Sequence, residues 1–204
     1  MVQDDVGKPR EVWIRRKIFH IAMGTFFVCC MLLNDTTKWF FLLLLAVGII
    51  LSMVQERKRL PLITWLLERY DKKADLIPGQ GPVAFFSGAL FAWFIFGGDI
   101  AIAAVIALSF GDPMAYVIGR SVTGPRLPWN KEKTVLGAVS FIVAPLVLIS
   151  LIWGPLLSVV ISVSAAIVES VPWPKTVLTD DNIMVPILSS IITWFLIDLL
   201  PSIS

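Results

Sequence analysis

Cysteine, histidine and charged residues are all scarce in this sequence. Of its 204 residues, two are Cys, one is His and 16% are charged. The two cysteines, Cys29 and Cys30, are adjacent in an apolar segment, which argues against a disulfide framework and a cysteine metal site. A net charge of +2 is too small to indicate a nucleic-acid partner. The shortage of charge also argues against a soluble enzyme.

What the sequence has instead is apolar surface in long, continuous segments. Hydrophobic residues make up 57% of the chain, and its mean hydropathy is +0.83. A compact globule of this length could not hide so many apolar side chains from water, so they must meet lipid. In lipid only helices and closed barrels satisfy their own backbone, and continuous segments favour helices. We therefore predict an all-α, polytopic membrane helical bundle that forms a single domain over residues 1–204.

Seven apolar segments are predicted to be transmembrane helices, each of which needs about 20 residues, or somewhat fewer with polar flanks. A turn at Trp153–Gly154–Pro155 divides the longest apolar segment into two spans. The third segment is short and must borrow preceding residues or lie partly within protein. The predicted spans are Ile18–Leu33, Trp39–Val54, Val83–Phe96, Ile100–Ile118, Val135–Ile152, Leu156–Glu169 and Ile183–Leu200.

Seven spans place every one of the 17 Lys and Arg residues except Lys38 on the same side of the membrane. Because cytoplasmic loops carry the excess of basic residues, this side is predicted to be the cytoplasm, and it holds the amino terminus. The start of the sequence shows no small-residue cleavage site, so the first apolar segment is expected to be retained. The prediction is an integral multi-pass protein of the cell membrane in a prokaryote, or of the endoplasmic reticulum in a eukaryote.

The basic loop after the second span contains a short apolar pattern. Within Leu60–Tyr70, the apolar residues Leu62, Ile63, Leu66 and Leu67 follow helical spacing. Such a stretch is typical of an amphipathic helix lying in the membrane interface. It is equally typical of an ordinary loop helix on the cytoplasmic side, and both interpretations stay open.

A first group of cations lies where the first span enters the membrane. Arg16, Lys17 and His20 share one face of a helix because they are about one turn apart. Arg offers a bidentate fork and Lys a point charge, so the group could bind a polyphosphate. The alternative is a basic anchor that touches anionic lipid headgroups. His20 already lies inside the apolar segment, which favours the polyphosphate.

A carboxylate lies inside the fourth span. Ile100–Phe110 is too short to cross a membrane alone, so the helix must include Asp112. A charge so placed is costly in lipid and by default faces a polar cavity or a cation, which indicates a functional role. Gly111, Ala115 and Gly119 form a stripe of small residues on the same helix, which lets another helix or a ligand approach.

The loop before the fifth span is basic. It holds Arg120, Lys131 and Lys133, and Thr134 opens the following helix. An ammonium, a hydroxyl and the free N–H groups of a helix start could together contact phosphate oxygens. The loop lacks the glycine-rich body of a Walker loop, so on its own it is a weak signal of a phosphate site.

Three further oxygen-bearing side chains stand where the sixth span ends and the seventh begins: Glu169, Asp181 and Asn182. Such ligands suit Mg²⁺, which prefers one or two carboxylates together with water and substrate phosphates. Asp and Asn before a long helix also serve as ordinary helix caps, and both roles can hold together. In the predicted orientation all of these groups lie in the cytoplasmic half. They describe a site where a soluble polyphosphate meets a lipid headgroup.

Four motifs resemble a family of integral-membrane enzymes, the polyprenol and phytol kinase family, which includes dolichol kinase, phytol kinase and the CTP-dependent diacylglycerol kinase. Phosphatidate cytidylyltransferase is a more distant relative. The motif residues are Arg16, Lys17 and His20; Gly111, Asp112, Ala115, Gly119 and Arg120; Leu127–Asn130, Lys133, Thr134 and Gly137; and Glu169, Pro172, Asp181, Asn182 and Pro186. The sequence departs from the family pattern at Leu136–Gly137, where members usually have Glu-Gly after the Lys-Thr or Lys-Ser pair.

The resemblance implies a CTP-dependent kinase that converts a membrane isoprenoid alcohol, of the dolichol, polyprenol or phytol type, to its monophosphate. It implies CTP as phosphoryl donor and Mg²⁺ as cofactor, bound on the cytoplasmic face. The implied nucleotide-binding residues are Arg16, Lys17, Gly111, Gly119, Arg120, Lys131, Lys133 and Thr134. The implied metal ligands are Asp112, Asp181 and Asn182. The implied catalytic residues are Lys17 and a base that is His20, Asp112 or Glu169.

Other functions stay open on the sequence alone. A diacylglycerol kinase or a cytidylyltransferase that forms a CDP-lipid would need the same kind of site. A small membrane transporter would use Asp112 as a proton or cation site, although the paired repeats common in transporters are not visible. The expected partners are the lipid alcohol, CTP and membrane lipids, without nucleic acid. Formation of a homodimer is left open.

Overall fold

The structure, a computed structural model, describes residues 10–71 and 75–199, with side chains over residues 14–71 and 75–197. Helices make up 80% of the described residues, and these contain no strand. The helices of the described residues are α1 (Arg10–Leu33), α2 (Thr37–Arg57), α3 (Pro61–Tyr70), α4 (Gln80–Phe96), α5 (Gly98–Ser121), α6 (Val135–Trp153), α7 (Pro155–Ser170) and α8 (Asp181–Leu199).

The predicted all-α fold is confirmed, and four helices are long and apolar enough to cross a membrane: α1, α2, α5 and α6. The helices α4, α7 and α8 are apolar but shorter over the described residues. Each predicted span corresponds to one of these seven helices, while the number of crossings and the orientation of the amino terminus stay predictions. α1 begins at Arg10 rather than near Ile18, because a helix need not end at the membrane surface. The predicted end of the last span, Leu200, lies outside the described residues.

Two glycines make tight turns between consecutive helices. Gly97 and Gly154 have φ values of 80° and 81°, in a region where a residue with a Cβ is strained. Gly97 joins α4 to α5, and Gly154 joins α6 to α7. The division of the long apolar segment at Trp153–Gly154–Pro155 is therefore observed.

α5 is the central helix of the bundle. It packs against α1, α4, α6, α7 and α8, and every residue from Ala101 to Ser109 is buried. Small residues make the close packing possible: a Cβ on Gly111 would lie 2.8 Å from the Phe141 ring of α6. Asp112 follows Gly111 on α5 and therefore lies close to the neighbouring helices.

The loop between α5 and α6 folds back on itself. The N–H of Leu127 donates to the carbonyl of Lys133 at 3.0 Å, and the N–H of Val135 donates to the carbonyl of Pro125 at 3.0 Å. Thr134 caps α6, since its hydroxyl oxygen accepts a hydrogen bond from the N–H of Gly137 at 3.0 Å. These bonds fix Lys133 at the start of α6.

The basic loop after α2 contains the short helix α3. Pro61 stands in its first turn, where a missing N–H has no intrahelical partner to lose. No residue of α3 is buried, and the helix contacts α1. The predicted helix is observed, and its position in a membrane interface stays a prediction.

Candidate functional site

Lys17 of α1 and Asp112 of α5 form an ion pair. Lys17 Nζ lies 2.6 Å from Asp112 Oδ2, and the side chains are 18% and 28% exposed. The two helices approach closely because Gly24 of α1 faces Ser109 of α5, where a Cβ on Gly24 would lie 1.9 Å from the Ser109 hydroxyl oxygen. The carboxylate predicted to lie within a span thus has a cation beside it, as the cost of a buried charge requires.

Tyr116 lies between two cations, and the sequence patterns did not single it out. Its ring centroid is 4.6 Å from Lys17 Nζ and 4.4 Å from the guanidinium carbon of Arg120. At these distances a cation is attracted to the face of an aromatic ring. Tyr116 stands one helical turn after Asp112 and one turn before Arg120, so its spacing on α5 was the available signal.

Lys133 joins three elements of the bundle. Its ammonium lies 2.8 Å from Glu169 Oε1 at the end of α7 and 3.8 Å from Asp181 Oδ2 at the start of α8. It also donates a hydrogen bond to the backbone carbonyl of Glu169. Burial by itself would lower the pKa of Lys133, but the carboxylates of Glu169 and Asp181, with a smaller effect of Asp112, raise the pKa above its ordinary value. Lys133 therefore stays a cation at physiological pH.

Hydrogen bonds from three other residues hold the loop before α6 and the start of α8 in place. Trp129 Nε1 donates to Ser170 Oγ at 3.1 Å, and Asn130 Nδ2 donates to the Ser170 carbonyl at 3.0 Å. Gln80 Nε2 at the start of α4 donates to Asp180 Oδ2 at 2.9 Å. Gln80 is a supporting residue that sequence reasoning missed, because a glutamine at a helix start carries no particular signal.

A first cleft, the helix cleft, is lined by side chains of α1, α4, α5 and α8 and by the end of α3. Its predicted site residues are Arg16, Lys17, His20, Asp112, Asp181 and Asn182. Another part of its wall is apolar and consists of Phe19, Met23 and Phe85. The His20 ring meets the Phe85 ring edge-on, with centroids 5.5 Å apart. The helix cleft therefore combines charged and apolar walls, which suits an amphipathic molecule.

A second cleft, the loop cleft, lies beside the first. It is lined by the loop before α6 and the loop before α8. Its cations are Lys131, Lys133 and Lys175, and its carboxylates are Asp75, Glu132, Asp180 and Asp181. The indoles of Trp129 and Trp173 also line it. Asp75 and Asp181 belong to the walls of both clefts. The two clefts therefore adjoin at these carboxylates.

Five of the predicted site residues line neither cleft: Gly111, Gly119, Arg120, Thr134 and Glu169, the last of which pairs with Lys133. Gly111 faces Phe141 of α6, and a Cβ on Gly119 would lie 3.0 Å from the Thr134 hydroxyl oxygen. Thr134 is buried as the cap of α6. Arg120 lies against Tyr116. The contacts of Gly111 and Gly119 are those of helix packing, the alternative that the small-residue stripe left open. A nucleotide contact at these glycines, Arg120 and Thr134 stays a prediction.

The predicted metal ligands fit Mg²⁺ only together with a phosphate. Over residues 10–71 and 75–199, no group of three or more His, Cys, Asp or Glu side chains is arranged to hold a metal ion. Asp112, Asp181 and Asn182 nevertheless line the same cleft, beside Lys17. Mg²⁺ commonly takes one or two carboxylates and completes its coordination with phosphate oxygens and water. The donor set therefore fits a metal that arrives with a nucleotide.

The chain is similar to curated plant kinases. It is 26% identical to "Probable phytol kinase 2, chloroplastic" of Glycine max over 96% of this chain and 70% of that protein. It is 25% identical to "Probable phytol kinase, chloroplastic" of Zea mays over 96% and 71%, and 27% identical to "Farnesol kinase, chloroplastic" of Arabidopsis thaliana over 64% and 46%. A comparison with protein-family models finds no match. No solved structure matches either. The similarity along most of the chain to proteins of these names confirms the resemblance to the polyprenol and phytol kinase family.

Proposed function

We propose that this protein transfers the γ-phosphate of CTP to the hydroxyl of a membrane isoprenoid alcohol on the cytoplasmic face of the membrane. The observation that carries the proposal is the junction, at Asp75 and Asp181, of a partly apolar helix cleft with a loop cleft whose lining combines three lysines with four carboxylates. The relatives named phytol kinase and farnesol kinase support an isoprenoid alcohol as acceptor. CTP as donor rests on the resemblance of the four motifs.

The donor would occupy the loop cleft with its triphosphate directed toward the helix cleft. Lys131 and Lys133 line the loop cleft, and Arg16 and Lys17 line the helix cleft. Phosphoryl transfer depends above all on positioning and on neutralising charge at the phosphate oxygens. A triphosphate lying across the shared boundary at Asp181 would contact cations of both clefts, which would bring its γ-phosphate to the acceptor.

The acceptor hydroxyl would lie in the helix cleft beside Asp112 and His20. Its oxygen forms the new bond to the γ-phosphorus, while the bond from that phosphorus to the β,γ-bridging oxygen breaks and CDP leaves with the electron pair. The hydroxyl proton passes to Asp112 or His20, which both line this cleft. Glu169 pairs with Lys133 and lines neither cleft. We therefore propose that Glu169 orients the Lys133 ammonium and does not accept the proton.

Asp112, Asp181 and Asn182 would hold the Mg²⁺ that accompanies the nucleotide. The metal supplies further neutralisation of the charge on the phosphate oxygens. Two carboxylates alone would repel a triphosphate, so the neighbouring Lys17 and Lys133 are needed for the nucleotide to approach them.

The test is a labelled-phosphate assay with the purified protein in lipid vesicles. γ-Labelled CTP or ATP is supplied with Mg²⁺ and a panel of phytol, farnesol, a longer polyprenol and diacylglycerol. We expect label in an isoprenyl monophosphate, CDP as the second product, and faster turnover with CTP. Pyrophosphate together with a CDP-lipid would instead identify a cytidylyltransferase. Preference for diacylglycerol would overturn the isoprenoid acceptor, and equal or faster turnover with ATP would overturn CTP.

Two lysine variants provide the matched control. Lys17→Met is expected to lower kcat/KM for CTP about 10-fold or more, because a partly buried phosphate contact is lost. Lys38 stands in the first turn of α2 and pairs with Asp35, which precedes that helix. We expect Lys38→Met to leave kcat/KM unchanged. If Lys17→Met inserts normally and its kinetics are unchanged, the cations at the start of the first span act as a membrane anchor and do not bind the nucleotide.

A further inference from the structure

α3 presents an apolar face to its surroundings. Leu62, Trp65 and Leu66 stand one turn apart on this helix and are 69%, 49% and 39% exposed. The guanidinium carbon of Arg69 lies 4.4 Å from the Trp65 ring centroid, and basic residues precede the helix at positions 57–59. A short helix with an exposed apolar face and basic flanks is suited to the boundary between headgroups and acyl chains.

Both ends of α3 are attached to the bundle. Near its start, Gln55 Nε2 of α2 donates to Thr64 Oγ1 at 2.7 Å, and Gln55 Oε1 accepts from the Leu60 N–H at 2.9 Å. At its end, the Tyr70 ring lies against the Phe19 ring of α1, with centroids 5.1 Å apart. These attachments set where the apolar face of α3 stands relative to α1.

Phe19 and Tyr70 both line the helix cleft. Phe19 is also 41% exposed on the outside of α1, so this aromatic pair separates the cleft from the surroundings of the bundle. Two helical turns further along α1, Phe27 packs 6.0 Å from Phe85, measured between ring centroids. Phe85 lines the helix cleft, and Phe27 behind it is fully buried. Phe19 is therefore an apolar part of the cleft wall that is also exposed on the outside of the bundle.

We propose that the Phe19–Tyr70 pair is the lateral entrance for the acceptor, and that α3 is a membrane-surface helix that opens or narrows it. This inference rests on the proposed kinase activity and adds the route of its lipid substrate. The isoprenoid chain stays in the bilayer against the exposed face of α3 and the outside of α1. Its hydroxyl end passes between Phe19 and Tyr70 toward Asp112.

The charge distribution of the helix cleft favours this direction of entry. The charged wall of the helix cleft includes Lys17, Asp112 and Asp181, and Asp181 also belongs to the loop cleft. A hydrocarbon chain gains nothing at these groups in exchange for their hydration. Phe19, Met23 and Phe85 form the apolar part of the wall. The nucleotide would therefore enter through the loop cleft and the lipid past the apolar part of the wall, and the two would meet at the carboxylates.

A reversible cross-link tests the entrance. In a chain with Cys29→Ser and Cys30→Ser, the substitutions Phe19→Cys and Tyr70→Cys allow a short bifunctional thiosulfonate reagent to join α1 to α3. We expect the cross-linked protein to phosphorylate phytol in vesicles about 10-fold more slowly or worse, because the entrance cannot open. Reduction should restore the rate, and the melting shift caused by CTP and Mg²⁺ should be the same in both forms.

The matched control is a second aromatic pair joining two helices. The Trp39 and Phe94 rings of α2 and α4 lie 5.5 Å apart, and cross-linking Trp39→Cys to Phe94→Cys should leave the rate unchanged. An equal rate in the cross-linked and reduced forms of the Phe19/Tyr70 variant would overturn the entrance. Absence of alcohol phosphorylation by the wild-type protein would instead overturn the proposed function itself.

A second variant addresses α3 without touching the cleft. Leu66→Glu places a charge on the apolar face and should raise KM for phytol about threefold or more, while KM for CTP stays unchanged. Leu178→Glu is the control, since Leu178 is 75% exposed in the loop between α7 and α8. Equal KM values for phytol in Leu66→Glu and wild type would show that α3 does not guide the acceptor.

Discussion

Asp112 is expected to affect both activity and stability, because its carboxylate lies 2.6 Å from the Lys17 ammonium. Asp112→Asn should remove nearly all phosphotransfer, since a charge is lost at the reaction centre. The same change leaves the mostly buried Lys17 without this carboxylate, which should cost about 1–3 kcal/mol of unfolding free energy, between the values for exposed and fully buried pairs. Turnover and thermal melting in detergent measure the two effects separately.

A double variant distinguishes the two contributions of Asp112. In Lys17→Met/Asp112→Asn both charges are gone, so the melting temperature should return toward that of the wild type while activity stays lost. Restored turnover in the double variant would contradict a catalytic role for Asp112. An Asp112→Asn protein that melts like the wild type would contradict a stabilising role for the ion pair.

Lys133 is expected to react slowly with amine-acylating reagents at about pH 9, because the neighbouring carboxylates raise its pKa above the ordinary value of about 10.4. Only the neutral amine is acylated. Glu169→Gln removes one carboxylate but leaves Lys133 buried, so the pKa of Lys133 falls and its acylation becomes faster. Mass spectrometry measures the rate, with the exposed Lys58 as reference. Slower acylation of Lys133 in Glu169→Gln would contradict this cause of the shift.

The sequence patterns singled out Lys17, Asp112 and Lys133 but not their pairings, and they missed Asp75 and Lys175, which line the clefts. The cost of a charge inside an apolar segment pointed to Asp112, whereas helical spacing grouped Lys17 with Arg16 and His20. The contact between Lys133 and Glu169 joins residues 36 positions apart through a folded loop and a helix end, and no local spacing encodes it. Tyr116 looks like any aromatic residue of a membrane helix until the cations on both sides of its ring are known.

At the scale of helices, the contact of α4 with α8 depends on Gly88. A Cβ on Gly88 would lie 2.5 Å from the Asn182 carbonyl oxygen and 2.9 Å from the Ile183 Cα, which are backbone atoms that cannot turn aside. Gly88→Ala should therefore separate the helices and destabilise the protein by about 1–3 kcal/mol. Because Asn182 moves with α8, KM for Mg²⁺ should also rise. Melting and a magnesium titration of turnover measure the two effects.

The control is Gly48→Ala in α2. There a Cβ would lie 3.7 Å from the nearest side chain, Val83, and alanine favours a helix over glycine by about 1 kcal/mol. We expect unchanged or slightly raised stability. A Gly88→Ala protein as stable as Gly48→Ala would mean that α4 and α8 are less tightly packed than the structure describes.

The existence of the helices could be predicted from apolar segments alone, whereas their partners could not. Proline gave little guidance to boundaries, since Pro113, Pro145 and Pro186 all lie inside helices. A proline removes one backbone hydrogen bond from a helix. Ending the helix within an apolar bundle would leave several backbone groups without hydrogen bonds, which costs more. The central position of α5 depends on its small residues, such as Gly111. Apolar composition alone could not predict this position, because α6 is apolar as well.

The arrangement of the whole molecule in a membrane can be tested by cysteine labelling. In the chain with Cys29→Ser and Cys30→Ser, we expect a membrane-impermeant thiol reagent added to intact cells to label Asp99→Cys and not Lys131→Cys. Seven crossings with a cytoplasmic amino terminus place Asp99 outside and Lys131 inside. If only α1, α2, α5 and α6 crossed the membrane, the two positions would exchange sides. Labelling of Lys131→Cys alone would therefore contradict seven crossings with a cytoplasmic amino terminus.

The ion pairs of the two clefts also bear on how metal and nucleotide would bind relative to one another. Lys17 is bonded to Asp112, and Lys133 to Glu169 with Asp181 nearby. A nucleotide binding alone would draw lysines away from carboxylates, and a metal binding alone would draw carboxylates away from lysines. When both bind, every separated charge gains a new partner, so each ligand should raise the affinity for the other by the same factor, about 5–150-fold for a typical coupling energy. The site would then bind free magnesium or metal-free nucleotide weakly and would bind the two together tightly.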